Sequence, residues 1–297
     1  MDKASFCPAC TARDLESLKQ WRLSGKQARV WGCRTCGLLF VHPQPTPEEL
    51  SAYYAPDGGW KASRVEKSPR PPQIRTKGAA PALFDALDHY FPANTPPPGT
   101  RVFDFGCGSG TWLNSFQDHG WQTFGLEPSD DSAFVRHARL DAIPREPDFD
   151  LVLAYHVLEH LPRPLETLRE LAGAIRPGGH LLVSVPRLDT LAVHRQVDYC
   201  LHPRHHIMGF TEACLRELMA RAGLGVLATF HELDERFSKG EPVRLRMLAR
   251  KGAAPIAQCD PAAAWKPVID AYVAIRESRR SSRPDAAGTN KPVDSPT

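Results

Sequence analysis

Short apolar runs typical of strands alternate with amphipathic stretches typical of helices from about residue 80 to residue 250. The predicted strands are RVFDF, WQTFGL, LDAI, FDLVLAY, HLLVSV, GVLATF and VRLRMLAR, and the predicted helices between them are TWLNSFQDHG, DDSAFVRHARL, PLETLRELAGAI and EACLRELMARAG. This alternation predicts an α/β fold with a doubly wound, mostly parallel sheet of seven strands. The last two strands have no helix between them, so we expect them to be antiparallel.

Two further helices are predicted ahead of that sheet. APALFDALDHYF places Leu83, Leu87 and Tyr90 on one helical face. PTPEELSAYY has Thr46 followed three residues later by Glu49, which is the pattern of a capping box, with proline at the first helical position. We expect that helix to end near residue 56.

Four of the eight cysteines lie in the first 36 residues, as the pairs CPAC and CRTC. Two C-x2-C pairs separated by 22 residues match the spacing of a structural zinc site with four thiolates. Gly37, directly after the second pair, is expected to have a positive φ. QARVWGC and LLFV are predicted strands beside this site. The predicted zinc ligands are Cys7, Cys10, Cys33 and Cys36.

The chain divides into five predicted segments. Residues 1–45 form the zinc ribbon, 46–78 a helix and a basic linker, 79–252 the α/β domain, 253–280 a helical extension and 281–297 a disordered tail poor in apolar residues. Residues 57–78 are rich in basic residues, glycine and proline. This stretch is either a solvated linker or a lid over the site.

Composition sets the class of protein. The net charge of the 297 residues is +3, which is too small by itself to indicate a nucleic-acid partner. No apolar run approaches the length of a membrane helix, and the first residues lack a signal-peptide core. We therefore expect a soluble, cytoplasmic protein without a membrane partner, and its oligomeric state stays open.

Three glycines follow the first predicted strand of the α/β domain. Gly106, Gly108 and Gly110 come directly after Asp104 in VFDFGCGSG, so the third glycine is one residue early for the dinucleotide pattern G-x-G-x-x-G. The stretch resembles the first motif of class I S-adenosylmethionine-dependent methyltransferases. FGLEPSD, FDLVLAYHVLEHLPRP, LRELAGAIRPGGHLLVSVP and HIMGFTEACLRELMARAGL resemble later motifs of that family, in order, and the cysteine-rich leader resembles the zinc ribbon of some members.

The resemblance implies a Rossmann-like methyltransferase fold and S-adenosylmethionine as cofactor. It implies that Glu127 accepts hydrogen bonds from both ribose hydroxyls. Asp104 then either orients the glycine loop, meets the methionine amino group, or is a buried carboxylate satisfied by loop amides. Members often place an adenine-binding acid after the third strand, but here Asp141 comes too early and Ile143 follows, so that contact stays open. The expected cofactor-binding residues are Asp104, Gly106, Cys107, Gly108, Gly110, Glu127, Pro128, Tyr155 and His156.

Candidate catalytic groups follow the fourth strand. His156, Glu159 and His160 share one face of a helical turn, and a neutral imidazole of His156 or His160 could accept a proton from a hydroxyl nucleophile. Alternatively, His160 caps its helix and His156 packs under the cofactor. A further hypothesis is a divalent metal held by these groups with a distant histidine. The pattern resembles the E-x-x-E-H of small-RNA and ubiquinone-pathway O-methyltransferases, but His156 replaces the first glutamate and leaves that metal in doubt. The distant histidines are His202, His205 and His206.

The favoured function is transfer of a methyl group to a small-molecule acceptor, at oxygen in preference to carbon or nitrogen. One alternative is RNA methylation, with the basic residues between 61 and 77 on phosphates. Another is a zinc-ribbon module that binds the cofactor without turnover. The sequence does not identify the acceptor.

Overall fold

The structure is a computed structural model that describes residues 3–23, 26–55, 57–59, 79–130, 132–195, 200–202, 205–233, 242–254 and 266–275. Most of the predicted basic linker and all of the predicted tail therefore lie outside the described residues, as does most of the predicted C-terminal extension. Within that extension, residues 266–275 form a helix.

The leader forms an antiparallel sheet. Its strands are β1 (Leu15–Leu23), β2 (Lys26–Cys33) and β3 (Leu39–His42). The sequence analysis missed β1 and predicted the other two. A short strand much later in the chain, β9 (Met208–Gly209), pairs antiparallel with β3 and completes a sheet of order β1-β2-β3-β9. The leader is thereby hydrogen-bonded to the α/β domain.

Helix α1 (Pro47–Tyr54) follows the leader sheet and begins at the predicted capping box. Thr46 Oγ1 accepts a hydrogen bond from the backbone N–H of Glu49 at 3.2 Å, and Glu49 Oε2 accepts one from the backbone N–H of Thr46 at 3.1 Å. These two bonds satisfy donors at the start of the helix that would otherwise lack partners.

The second sheet has seven strands: β4 (Arg101–Phe105), β5 (Gln122–Leu126), β6 (Ala138–Arg139), β7 (Phe149–Tyr155), β8 (Ile175–Pro186), β10 (Leu224–Glu232) and β11 (Arg244–Lys251). Their order in the sheet is β10-β11-β8-β7-β4-β5-β6. All neighbouring pairs are parallel except those of β11, which is antiparallel to both β8 and β10. This confirms the predicted doubly wound, mostly parallel sheet with an antiparallel final pair.

Helices cover both faces of this sheet. They are α2 (Ala79–Leu87), α3 (Thr111–Asp118), α4 (Pro164–Ala174), α5 (Leu191–His194), α6 (Glu212–Arg221) and α7 (266–275), with 3-10 turns at Ser132–Val135 and Leu158–His160. In α2, Leu83 and Leu87 are buried as predicted, whereas Tyr90 lies beyond the end of the helix and is exposed. Among the described residues, no helix is long and apolar enough to span a membrane.

Two predicted elements are wrong. DDSAFVRHARL was predicted as a helix, but its described residues form the 3-10 turn Ser132–Val135, in which Ala133 is buried and faces Gly110, followed by the strand β6. LDAI was predicted as a strand, yet the strand is β6, two residues earlier, because Ala138 and Arg139 pair with Phe124 and Gly125. Both residues of β6 are exposed, so no hydrophobic pattern marks it.

The hydrophobic core on one face of the seven-stranded sheet continues into the leader. Phe40 of β3 and the four leader cysteines belong to the same buried cluster as Val183 and Val185 of β8. The other face packs against α2 and α3, where Phe84 and Phe116 are fully buried. The carboxyl ends of the parallel strands are left for loops, which is where sites form in such sheets.

Candidate cofactor and acceptor site

The glycine loop connects β4 to α3 and bends back over the end of β5. Gly106, Gly108 and Gly110 have φ values of +78°, +53° and +75°, a region that L side chains rarely adopt. The backbone N–H of Gly106 donates to the carbonyl of Leu126 at 2.8 Å. A Cβ on Gly106 would lie 2.5 Å from Cγ2 of Val157, whereas one on Gly108 would meet nothing within 4 Å. The loop is therefore packed on one side and open on the other.

Glu127 stands directly after β5 and its carboxylate is held from two sides. Oε2 accepts the backbone N–H of Gly108 at 2.9 Å, and Oε1 accepts the backbone N–H of Ser129 at 2.9 Å. The Ser129 hydroxyl also donates to Oε1. A carboxylate that accepts backbone N–H groups is fixed in position, and its remaining lone pairs can accept further donors.

Asp104 lies at the end of β4 and is 1% exposed. Among the described residues, nothing forms a hydrogen bond with Oδ1, so no described loop amide satisfies that oxygen. Burial, with a smaller contribution from the negative charge of Glu127, raises the pKa of Asp104 to about 7. Such a group is costly unless a ligand supplies a donor or a positive charge.

Cys107 and Pro128 flank these acids and differ in orientation. Cys107 is buried, and its Sγ lies where a Cβ on Gly125 would approach it to 2.7 Å, so this side chain faces the core. Pro128 is exposed. Of these two expected cofactor-binding residues, Cys107 therefore offers a ligand its backbone only.

Tyr155 and His156 end β7 on the other side of the glycine loop. The hydroxyl of Tyr155 accepts a hydrogen bond from Nη2 of Arg246 at 2.6 Å, and Arg246 also pairs with Glu232 at 2.6 Å. The Tyr155 ring lies 5.1 Å from that of Trp112, the second residue of α3. His156 has a φ of +57°, and its N–H donates to the carbonyl of Ser184 at 2.8 Å.

The expected helical turn after β7 is a 3-10 turn that starts only at Leu158, so His156 lies outside it. His156 and Glu159 still meet, because Nδ1 of His156 is 2.9 Å from Oε1 of Glu159. Glu159 and His160 are both buried, and this burial raises the pKa of Glu159 and lowers that of His160. Neutral imidazole is therefore the favoured form of His160.

The distant histidines also reach this turn. The rings of His160 and His206 are 4.8 Å apart, and those of His160 and His205 are 6.4 Å apart. His202 stacks on His205 at 4.3 Å. One ligand atom each from Glu159, His160 and His206 lie within 4.8 Å of one another.

The sequence analysis did not single out Tyr54 and misplaced Asp141 relative to the third strand of the domain. Tyr54, the last residue of α1, points its ring at His160 with centroids 6.1 Å apart and an interplanar angle of 89°. Burial raises the pKa of its phenol, with smaller contributions from charges that include Glu159 and Glu127. Asp141 follows β6, because that strand ends at Arg139, so an acid does stand after the third strand of the domain.

The four leader cysteines converge as predicted. The Sγ atoms of Cys7 and Cys36 are 3.7 Å apart and those of Cys10 and Cys33 are 3.5 Å apart, all four side chains are buried, and none forms a disulfide. Zinc at about 2.3 Å from each sulfur of a tetrahedron requires sulfurs about 3.8 Å apart. Gly37 has the expected positive φ of +75°. These residues therefore fit a structural zinc ion.

The chain shares sequence with curated methyltransferases. It is 31% identical over 157 residues to a probable S-adenosylmethionine-dependent methyltransferase of Mycolicibacterium smegmatis, a match that covers 46% of this chain and 60% of the relative. It is 30% identical over 132 residues to the tRNA U34 carboxymethyltransferase of Pseudoalteromonas translucida, covering 39% of each chain. A ubiquinone biosynthesis O-methyltransferase of Alkalilimnicola ehrlichii is 30% identical over 104 residues, covering 29% of this chain and 41% of the relative. The chain thus matches about two to three fifths of the length of these relatives.

Solved structures share the fold. The 1,6-didemethyltoxoflavin-N1-methyltransferase of Burkholderia thailandensis, solved with bound 1,6-didemethyltoxoflavin and S-adenosylhomocysteine, aligns with a TM-score of 0.53 at 17% identity over 79% of this chain and 100% of that one. The magnesium protoporphyrin IX methyltransferase of Synechocystis aligns with a TM-score of 0.50 at 16% identity over 69% of this chain and 99% of that one. Residues 76–229, just over half of the chain, match the methyltransferase domain family. The chain therefore belongs to the methyltransferase domain family.

Proposed function

We propose that the protein transfers a methyl group from S-adenosylmethionine to an oxygen atom of a small-molecule acceptor. The observation that carries the proposal is the carboxylate of Glu127, which is fixed by Gly108 and Ser129 beside an open glycine loop at the carboxyl ends of parallel strands. A carboxylate held in this way is suited to accept hydrogen bonds from the two ribose hydroxyls of the cofactor.

The remaining cofactor contacts follow from the same crevice. We assign the buried Asp104 to the methionine amino group. Among the described residues, Oδ1 of Asp104 has no hydrogen-bond donor, and the positively charged amino group would supply one. The open side of Gly108 faces the ligand. Cys107 contributes through its backbone, Pro128 lies exposed next to Glu127, and Tyr155 and His156 border the crevice on the side of β7. Asp141 becomes a candidate for the adenine amino group.

The protein does not need to activate the methyl group, because the sulfonium of the cofactor already makes it electrophilic. The acceptor oxygen forms a bond to the methyl carbon as the carbon–sulfur bond breaks, and the hydroxyl proton must leave. We assign that proton to Nε2 of His156, since its Nδ1 is paired with Glu159 and the ring is thereby oriented. His160 lies deeper, and buried groups around the reactants exclude water.

We further propose that Cys7, Cys10, Cys33 and Cys36 hold one structural zinc ion. Their buried, disulfide-free sulfurs support this assignment. Four thiolate ligands leave no open position, so the ion has no part in the reaction. Its effect is to stabilise the leader, which carries α1 and therefore Tyr54 to the site.

Calorimetry tests the cofactor assignment directly. Glu127→Gln keeps the shape of the side chain but removes its charge and one acceptor oxygen. Since a hydrogen bond to a charged group contributes about 1.5–3 kcal/mol, we expect S-adenosylhomocysteine to bind at least about tenfold more weakly. Glu146→Gln, the same change at an exposed position, should bind as the wild type does. Equal affinity in the Glu127 and Glu146 variants would remove the assignment.

The acceptor class is tested with cofactor labelled on its methyl group. Incubated with a fractionated lysate, the protein should place label in the small-molecule fraction and not in RNA. The RNA alternative keeps some support from the match to a tRNA-modifying relative, and label in RNA would establish it. Binding of cofactor without transfer to any fraction would instead favour a cofactor-binding module.

A further inference from the structure

A second cluster of side chains of the metal-ligating type, distinct from the leader cysteines, lies next to the cofactor crevice and is largely buried. Glu159 and His160 come from the 3-10 turn after β7, and His206 comes from the segment before β9. One ligand atom from each of the three lies within 4.8 Å of the others. Two segments about 45 residues apart thus bring one carboxylate and two imidazoles to a single point.

The carboxylate of Glu159 is satisfied on one side only. Its side chain is fully buried, and Oε1 is 2.9 Å from Nδ1 of His156. Among the residues that the structure describes, Oε2 has no hydrogen-bond partner. A buried carboxylate oxygen without a partner is costly, and a cation between Glu159, His160 and His206 would compensate for that cost.

His156 lies next to this cluster but, unlike His160 and His206, is not one of its ligands. It hydrogen-bonds Oε1 of Glu159, and a carboxylate oxygen of Glu159 lies within 4.8 Å of ligand atoms of His160 and His206. An outer hydrogen bond of this kind is how proteins orient a metal-binding carboxylate. The sequence hypothesis had grouped His156 with the ligands; the geometry gives it the role of orienting one.

We propose that Glu159, His160 and His206 bind one divalent first-row transition-metal ion, which coordinates the acceptor oxygen next to the methyl donor. Two imidazoles and one carboxylate suit Mn²⁺, Fe²⁺, Co²⁺ or Zn²⁺ better than Mg²⁺, which prefers oxygen ligands. Three protein ligands leave coordination positions for the acceptor. That the ion binds is inferred from the cluster alone. The role of the ion in methyl transfer rests on the proposed function.

The position of the cluster supports that role. Val157, between His156 and the 3-10 turn, packs so closely on the glycine loop that a Cβ on Gly106 would lie 2.5 Å from it. Two of the proposed ligands, Glu159 and His160, therefore lie two and three residues after a residue in contact with the predicted methionine-binding loop. An ion held there would make a coordinated acceptor hydroxyl lose its proton more readily, and His156 is the group that we assign to accept that proton.

Manganese titration of the zinc-loaded full chain tests the site without any acceptor. Mn²⁺ prefers nitrogen and oxygen ligands, so it should leave zinc on the four thiolates and report the second site alone. Calorimetry and the electron paramagnetic resonance signal of free Mn²⁺ should show one manganese bound per chain. His206→Ala and Glu159→Gln should each weaken binding at least about tenfold, because each loses one ligand.

His202→Ala is the matched control, since it removes an imidazole from the same segment but outside the proposed ligand set. It should bind Mn²⁺ as the wild type does. Native mass spectrometry of each variant, with one zinc retained, establishes that the chain is folded. The inference is overturned if the wild type binds no Mn²⁺, or if His206→Ala and His202→Ala bind it equally. Because cofactor binding is measured separately, a failed metal titration with intact S-adenosylhomocysteine binding overturns this inference and leaves the proposed function standing.

Discussion

In the protein without cofactor, replacing Asp104 by asparagine should raise the free energy of unfolding relative to wild type progressively as the pH rises. The carboxyl has a pKa of about 7 in the folded chain against 3.8 as its ordinary value, because the site is buried and Glu127 is nearby. Folding therefore takes up a proton between these two values. The contribution of this group to the free energy of unfolding is fully present below pH 3.8 and is lost as the pH rises through about 7.

The magnitude follows from the shift. One pKa unit corresponds to about 1.36 kcal/mol, so the full shift of the Asp104 pKa changes the free energy of unfolding by about 4 kcal/mol. Between about pH 5.5 and about pH 8, the free energy of unfolding of Asp104→Asn relative to wild type should rise by about 2 kcal/mol. An unsatisfied amide at position 104 is also costly, but that cost is independent of pH and does not affect the difference.

Urea unfolding at several pH values, without cofactor, measures this difference. Restricting the range to about pH 5.5 and above keeps the leader thiolates equally metal-bound in both proteins. Asp118→Asn makes the same change at an exposed position and serves as the control. The same Asp104 variant should bind S-adenosylmethionine more weakly, because the proposed partner of the methionine amino group has lost its charge. A stability difference that stays constant across this pH range would refute the assignment of Asp104 as a buried, unsatisfied carboxylate.

Two further predictions concern the loop and the leader. In urea unfolding, Gly106→Ala should lower the free energy of unfolding by about 1–3 kcal/mol more than Gly120→Ala does. Both glycines have a positive φ, but only a Cβ at position 106 would lie against Val157. Equal losses in the two variants would contradict the close packing of the glycine loop. In native mass spectrometry, Cys33→Ser should reduce the zinc content from about one ion per chain to near zero. Cys200→Ser, outside the cluster, should retain the zinc. Zinc retained by the Cys33 variant would contradict the ligand set.

The elements that could be predicted are those whose pattern is local. β4 and β7 were predicted residue for residue, because parallel strands buried on both faces are continuous apolar runs. The start of α1 was predicted from a capping box, which involves four adjacent residues. β6 was misplaced because its two residues are exposed and exist as a strand only through pairing with β5.

The helix predicted around Ala133 failed for a related reason. The residues there have acceptable helix propensity, but Ala133 packs against the glycine loop so closely that a Cβ on Gly110 would be 3.0 Å from it. Tertiary packing of this kind overrides a weak local preference. The strand β1 was missed because polar residues interrupt the apolar positions of LESLKQWRL, which leaves only a weak strand signal in the sequence.

The sequence by itself determined most of the order of strands and helices in the α/β domain, the zinc-ligand spacing, the glycine loop and the acid at position 127. Each depends on periodicity or on residues close together in the chain. Only the tertiary structure decided that β9 joins the leader sheet, that Tyr54 reaches His160, and that His206 meets Glu159. These contacts join segments separated by many residues, and their geometry depends on how the leader and the α/β domain share one hydrophobic core, which no local pattern encodes.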